Sequence, residues 1–400
     1  MNVDIECIVK SAYRPQACAW FHKYGLSQLV VVLLLAGTAA LKPLAANAQN
    51  AQGEAAYYDD THDILQTGID IEVVSGDFGY EPFLFSGEDD GLEQALDARS
   101  ASFIVANSRN PNPNDEFTCD FGWSSINPYP FRVYNPDLTT LVGGIINGEI
   151  PQESDWKNTY CNSAAVMFNN AACGTVDGLR ITSAWDGIRA AEGSPNLKIK
   201  NSWISNVRDD AVENDNYLPL VFEDNLIDGA FHGISVHSGG DISNDAGTTV
   251  NIYGSLIRIR EYLYKGSQQL GALFKNEESS PTSVIHNTVV AVDYNGGEIF
   301  PKYWERSWSK IEECSNNLFL WMSDLPIPDS LPLPPACFTS LSGAEARAEW
   351  DKAKQNWINC HPKVARTASE SASNPELCYE DDFGGYSAYE GDEVCTEGCH

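Results

Sequence analysis

Between Gly178 and Lys275 the apolar residues come in short runs, each broken by Asn, Asp or Gly. One run is Leu179-Arg-Ile-Thr-Ser-Ala-Trp-Asp186-Gly-Ile-Arg-Ala. The next is Leu197-Lys-Ile-Lys-Asn201-Ser-Trp-Ile-Ser-Asn-Val-Arg-Asp209-Asp210-Ala-Val-Glu-Asn, and a third is Leu220-Val-Phe-Glu-Asp-Asn-Leu-Ile-Asp-Gly-Ala-Phe-His232-Gly-Ile-Ser-Val. The form Ile/Phe-x-(Asn, Asp or Gly)-x-apolar-apolar recurs at Ile199–Ile204, Phe222–Ile227 and Ile252–Ile257, and again from Ile285 and Cys314. The interval is roughly 20 to 33 residues, which marks a stacked repeat. The runs are short and β-branched, and no helix-length periodic segment separates them between Gly178 and Gly240. Helical solenoids and βαβ units are thereby disfavoured. Two strands per row, stacked in parallel, predict an all-β solenoid, a parallel β-helix with short helical caps. The recurring Asn201, Asp224, Asn287 and Asn316 are expected at a bend, where their side chains cap backbone groups and ladder with one another.

Outside the rows the pattern changes. Residues 1–48 carry Arg14, His22 and Lys23, then an apolar run from Leu29, then Ala46-Asn47-Ala48. That order predicts a cleaved secretory signal, hence a secreted (extracellular or periplasmic) protein with no stable membrane insertion after cleavage. Residues 49–129 are expected to form an N-terminal segment and cap, with Leu92, Ala95 and Leu96 at helical spacing predicting a short helix over 91–99. Residues 108–130, rich in Asn and Pro, read as a loop. Leu141–Ile146 and Ala164–Phe168 read as the first coil of a β-helix domain spanning 130–322. Tyr262–Leu270 interrupts a row and reads as an insertion. The remainder, 323–400, holds a Pro-rich stretch (Pro326–Pro335), a helix expected over Ser342–Trp357, and an acidic, Cys-containing tail.

Charge removes one partner class. The formal net charge is −31, so nucleic acid, which needs a basic face, is excluded as an expected partner. Of 11 cysteines, Cys7 and Cys18 leave with the signal. In an oxidising compartment disulfides are expected among the remaining nine, with one thiol left over: Cys161 with Cys173 or Cys119, and pairs among Cys337, Cys360, Cys378, Cys395 and Cys399.

Alignment of the second strand of each row puts Ile188, Val212 and Ile234 in the core, with Ala272 or Leu273 following. Immediately before these strands stand Asp186, the pair Asp209 and Asp210, and His232. Coils lie about 4.8 Å apart, so these groups are expected to stack. Arg189, Glu213, Asp215, Ser235, His237 and Lys275 are expected on the outer surface beside them. Carboxylates one coil apart cannot all ionise freely, so at least one is expected to keep its proton. A neutral acid beside an ionised one is the requirement of glycosidic-bond hydrolysis. Trp304 and Trp308 are candidates for either sugar stacking or packing. Glu277 and Glu278 with Asp215 offer oxygen ligands for Ca²⁺.

These rows resemble the right-handed parallel β-helix of the pectin-lyase-like superfamily over about residues 130 to 322. The site residues resemble those of polygalacturonases (glycoside hydrolase family 28), which carry Asn-Thr-Asp, Gly-Asp-Asp, Gly-His-Gly and Arg-Ile-Lys on successive coils. The matching positions here read Ala184-Trp185-Asp186, Arg208-Asp209-Asp210, Phe231-His232-Gly233 and Leu273-Phe274-Lys275. The aspartates, His-Gly and Lys are kept; the Asn, the first Gly and the Arg are not. The resemblance implies a polysaccharide partner and no cofactor. It makes Asp209 or Asp210 the general acid and Asp186 with the remaining aspartate the activators of water. His232 would support the acid, and Lys275 would hold substrate; Arg189, Glu213 and His237, read on the same outer face from strand alternation, are expected to bind it as well. A lyase or epimerase on the same scaffold, with Lys275 or Arg189 acting and Ca²⁺ bound, is the alternative expectation; a non-catalytic glycan-binding or structural β-helix is the third.

Overall fold

The structure is a computed structural model that describes residues 70–87, 92–107, 129–160, 162–238 and 247–364. The expected signal, most of the 108–130 loop, the acidic tail and Cys119, Cys161, Cys378, Cys395 and Cys399 lie outside those residues. The early strands are β1 (Asp70–Gly79), β2 (Phe83–Ser86), β3 (Gln94–Val105), β4 (Phe131–Tyr134), β5 (Thr139–Val142) and β6 (Ile145–Gly148). A one-turn helix α1 (Trp156–Thr159) follows, then β7 (Ala164–Asn169), β8 (Thr175–Asp177), β9 (Arg180–Thr182), β10 (Asp186–Ala190), β11 (Leu197–Lys200) and β12 (Trp203–Glu213). Next come β13 (Leu220–Glu223), β14 (Leu226–Val236), β15 (Thr249–Tyr253), β16 (Leu256–Tyr264), β17 (Ser267–Leu270), β18 (Phe274–Asn276), β19 (Thr282–His286) and β20 (Val289–Asp293). The chain then forms β21 (Glu298–Ile299), α2 (Pro301–Ser309), β22 (Ile311–Ser315), β23 (Asn317–Trp321), β24 (Phe338–Ser342) and α3 (Gly343–Cys360).

Each coil has three strand faces, one more than the pattern of apolar runs predicts. The third is hidden in the sequence because β12 and β14 run unbroken round a corner, at a register shift between Val207 and Asp210. The core is three ladders of like residues one coil apart. On the first face Leu96, Leu141, Val176, Ile199, Phe222, Ile252, Ile285 and Cys314 stack. On the second, Phe103, Ile146, Ile181, Ile204, Ile227, Ile257, Val290 and Phe319 stack. On the third, Phe83, Phe131, Val166, Ile188, Val212, Ile234 and Phe274 stack. Phe274 therefore occupies the core place expected of Ala272 or Leu273. Nearly all these side chains are fully buried, each contributing about 1.5–3 kcal/mol.

The bend between the first two faces divides two jobs that the sequence pattern assigns to one residue. Asn201, Asp224, Asn287 and Asn316 adopt left-handed backbone, with φ of 53°, 48°, 52° and 53°, a conformation Asn and Asp tolerate better than other residues with a side chain. The next residue turns inward and carries the buried ladder. Asn225 Oδ1 accepts from Ser202 N (2.9 Å), Asn225 N donates to Ser255 Oγ (3.1 Å), and Asn317 Oδ1 accepts from Thr288 N (2.9 Å).

The parallel stack extends beyond 130–322 in both directions, from β1 to β24. The helix expected over 91–99 is strand β3. Its burial alternates through Leu96, Ala98, Ala101, Phe103 and Val105, and pairing with β1, β5 and β6 overrides the helical spacing of Leu92, Ala95 and Leu96. The insertion at Tyr262–Leu270 is an antiparallel hairpin of β16 and β17. Helix α3 covers an outer apolar ladder of the second face, setting Ala346, Trp350, Ala353 and Trp357 against Trp203, Leu226, Leu256, Val289 and Leu318. Cys337 pairs with Cys314 rather than with a cysteine of the tail. The chain returns from the Pro-rich loop beside β22, leaving the two Cα atoms 5.9 Å apart. Trp304 and Trp308 are 0% and 8% exposed, so both serve packing and neither presents a stacking surface.

Candidate active site

The corner between the second and third faces gathers the titratable groups. Asp186 opens β10, Asp209 and Asp210 sit where β12 turns, and His232 lies on β14. Backbone bonds lock successive coils together here: Arg208 N donates to Ala184 O (3.0 Å) and Asp209 N to Trp185 O (2.9 Å). Asp210 pairs with His232 across the next coil. The glycines that follow Asp186 and His232 are required by close approach. A Cβ on Gly187 would stand 2.3 Å from Ala211 O, and one on Gly233 2.6 Å from Leu273 O.

Four expected catalytic residues are thus brought together, and all are buried: Asp186 is 4% exposed, Asp209 5%, Asp210 1% and His232 3%. Asp186 Oδ1 accepts from Asp210 N (2.9 Å). Asp210 Oδ2 accepts from Lys275 Nζ (2.7 Å). His232 Nδ1 stands 3.0 Å from Asp210 Oδ1 and 3.6 Å from Asp209 Oδ1. Nδ1 is thus within hydrogen-bonding distance of Asp210, and both acids bear on the ring through contact and charge.

Sequence reasoning missed the roof over this cluster. Trp156 of α1 donates Nε1–H to Asp209 Oδ2 (2.9 Å) and packs on Tyr160, Trp185 and Tyr264 at 4.5, 5.6 and 5.2 Å between ring centres. Asp155 caps α1 through Lys157 N and also accepts from Lys265 N (3.2 Å) and Gly266 N (2.5 Å) at the hairpin tip. Beneath that clasp the buried Arg208 guanidinium donates to Ser154 O and to Leu263 O. The one local cue was Asp155 itself, an N-cap residue type before a short polar segment. That a helix from an early coil meets a hairpin from a late one is a tertiary fact.

The expected outer residues form the adjoining ladder Arg189–Glu213–Ser235–Lys275. Arg189 donates to Glu213 Oε2 (3.1 Å) and to the Tyr129 hydroxyl (3.3 Å). Ser235 donates to Asp215 Oδ1 (3.2 Å). Side-chain exposure is 31% for Arg189, 13% for Glu213 and 24% for Lys275, so this ladder is the more exposed flank of the cluster. His237 follows β14 and acts electrostatically on Glu277. Glu277 is committed to the Tyr217 hydroxyl and to Ser238 N and Oγ. Among the described residues, Asp215, Glu277 and Glu278 do not come together as metal ligands, whereas Asp209, Asp210 and His232 offer ligand atoms within 4.8 Å of one another. Lys275 already supplies a cation to that trio.

The acids divide by charge state. Burial, reinforced by Glu213, Asp210 and Asp209, lifts the Asp186 carboxyl well above the usual carboxylate range. Burial also lifts Glu213, and although Arg189 opposes it, Asp215 adds to it and the value reaches about 8. For Asp209 burial is outweighed by Lys275, His232 and the Trp156 N–H, which bring it down to about 2. His232 is pushed down by burial but raised on balance by Asp209 and Asp210. Lys275, likewise disfavoured by burial, is raised well above its ordinary value by Asp210 and Asp209. The corner therefore sets Asp186 and Glu213, which hold their protons more firmly than usual, beside Asp209, which gives its proton up readily, and Lys275, which keeps its own.

Fold and family comparison agree on the class: this is a right-handed parallel β-helix protein, residues 118–250 matching a family described as right handed beta helix region. No curated protein and no solved structure is matched.

Proposed function

We propose that this chain is a secreted protein that acts on polysaccharide by hydrolysing glycosidic bonds. The observation that carries the reading is the placement of Asp186 and Asp209 on adjacent coils, one residue out of register, with burial lifting Asp186 above the usual carboxylate range while Lys275, His232 and Trp156 bring Asp209 down to about 2. Asp186 delivers a proton to the glycosidic oxygen as that bond breaks. Asp209 accepts a proton from the attacking water, and the new C–O bond completes the exchange. The likeness to polygalacturonases assigns the acid to Asp209 or Asp210 and water activation to Asp186; the charge states favour the reverse. Lys275 and His232 balance the charge of Asp210 and Asp209, while Arg189 and Glu213 on the more exposed flank offer hydrogen bonds to sugar hydroxyls. A lysine base, the core of the lyase alternative, is disfavoured because Asp210 and Asp209 hold the Lys275 proton firmly.

The test is the mature chain incubated with pectate, alginate, carrageenan and xylan, reading reducing ends and ultraviolet absorbance together. New reducing ends without absorbance are expected, with rates in Asp186→Asn and Asp209→Asn lowered by ~10²–10⁴-fold. Absorbance gained with each cleavage would make the chain a lyase. Binding without cleavage would make it a glycan-binding protein.

A further inference from the structure

Outside the acid cluster the structure holds a cavity of about 430 Å³, within the roughly 300–1,000 Å³ range of small-ligand sites. It lies where three stretches far apart in sequence meet: Gln152 and Glu153 ahead of α1, Arg260 to Leu263 with Gln268 on the β16–β17 hairpin, and the turn Asn295–Gly297. None of Asp186, Asp209, Asp210, His232 and Lys275 is among the described residues that line it. Its walls are fixed from behind. Glu261 Oε1 accepts from Asn295 N (2.7 Å) and Gly297 N (2.8 Å), tying the turn to the hairpin. A Cβ on Gly297 would stand 2.6 Å from Gln268 O, so the turn packs against the hairpin without slack. The stretch before α1 is held by Asp155 on the hairpin tip and by Arg208 on Ser154 O. The cavity is thus formed before any ligand enters.

The chemistry of the lining selects the ligand. Arg260 is already engaged: Nη1 donates to Asn206 Oδ1 (3.2 Å) and Nε stands 3.9 Å from Asp293 Oδ2. Tyr262 is 3% exposed and gives its hydroxyl to Gly229 O, so it offers no stacking face. Hydrogen-bonding capacity remains on Glu153, Gln268 and Asn295, whose side chains are not spent on described residues, and on the second carboxylate oxygen of Glu261. A uronate or phosphate would meet two carboxylates with only a neutralised arginine to oppose them. A divalent cation takes about six to eight oxygens, and here it would share the lining with the Arg260 guanidinium. Sugar hydroxyls, each both donor and acceptor, match carboxylates that accept and amides that do both. We propose that this cavity binds a neutral sugar, one or two units of a glycan, at a site separate from the acid cluster. The assignment goes beyond the hydrolase reading and holds whether or not the chain cleaves bonds.

The experiment titrates the mature chain in a calorimeter with cellobiose, maltose and melibiose, and with galacturonic acid and calcium chloride as charged probes. A neutral disaccharide is expected to bind with a dissociation constant of about 1 mM or tighter. Glu153 and Gln268 are both exposed, so replacing them together (Glu153→Ala, Gln268→Ala) is expected to leave circular dichroism unaltered while weakening binding by about tenfold or more. No saturable heat with any of the three disaccharides would overturn the proposal, and so would an unchanged affinity in the double variant. Galacturonic acid or calcium binding that the double variant abolishes would overturn the neutral class and make the cavity an anion or cation site. Reducing ends do not enter this readout, so its failure leaves the hydrolase reading standing.

Discussion

Glu213 offers a test of the electrostatics that needs no substrate. Its side chain is 13% exposed, faces Arg189 across one coil and has Asp215 beyond it. Burial dominates, and the carboxyl moves from 4.5 to about 8. An unfolded chain releases this proton above about pH 4.5, whereas the folded chain keeps it until about pH 8, so folding takes up a proton throughout that window. A carboxyl raised in this way makes the fold less stable as pH rises. At about 1.4 kcal/mol per pH unit, the loss is roughly 2–3 kcal/mol between about pH 5 and 7, and at most about 5 kcal/mol by pH 8. Glu213→Gln mimics the neutral acid in size and cannot ionise. Wild type and variant are therefore expected to match near pH 5, with the variant gaining progressively toward pH 8. Urea denaturation followed by tryptophan fluorescence at several pH values measures the gap. A gap that stays constant, or that closes as pH rises, would refute the claim that burial outweighs Arg189.

Three further outcomes follow from the same contacts. Trp156→Phe keeps a ring under the roof but removes the N–H on Asp209; a loss of about 1–3 kcal/mol is expected at neutral pH. Because Asp209 is held low, its contribution is present above about pH 4 and disappears as pH falls toward about 2, so in acid titration the variant and wild type should converge there. Trp203→Ala strips the outer ladder beneath α3, where Arg180 and Trp357 also pack on that ring; thermal denaturation should show a loss of about 3–5 kcal/mol. Cys314→Ser opens a link between residues 23 apart in sequence, and a loss of about 3 kcal/mol is expected in denaturant.

The coil repeat was legible because it is written twice, in the spacing of Ile199, Phe222, Ile252 and Ile285 and in the Asn, Asp or Gly two places later. Both are local constraints: an inward apolar side chain and a backbone bend that Asn, Asp or Gly adopts readily. The Asp186, Asp209–Asp210 and His232 column was legible for the same reason, since a stacked repeat converts sequence register into spatial adjacency. The failures have a common physical cause. The spacing of Leu92, Ala95 and Leu96 suits a helix in isolation, yet hydrogen bonding to neighbours on both sides makes β3 extended. Cys337 has no signal naming Cys314, because the return path of the Pro-rich loop sets their distance.

Sequence by itself determined the stacked strands, the inward ladders and which acids share a corner, because each depends on residues within one coil of each other. Tertiary structure alone decided the third face and the roof of α1 and hairpin. It also decided the charge states. Asp186, Glu213 and Asp209 are chemically similar carboxylic acids, and only burial and the placement of Arg189, Lys275 and Trp156 make two of them hold a proton more firmly than usual while the third gives it up more readily.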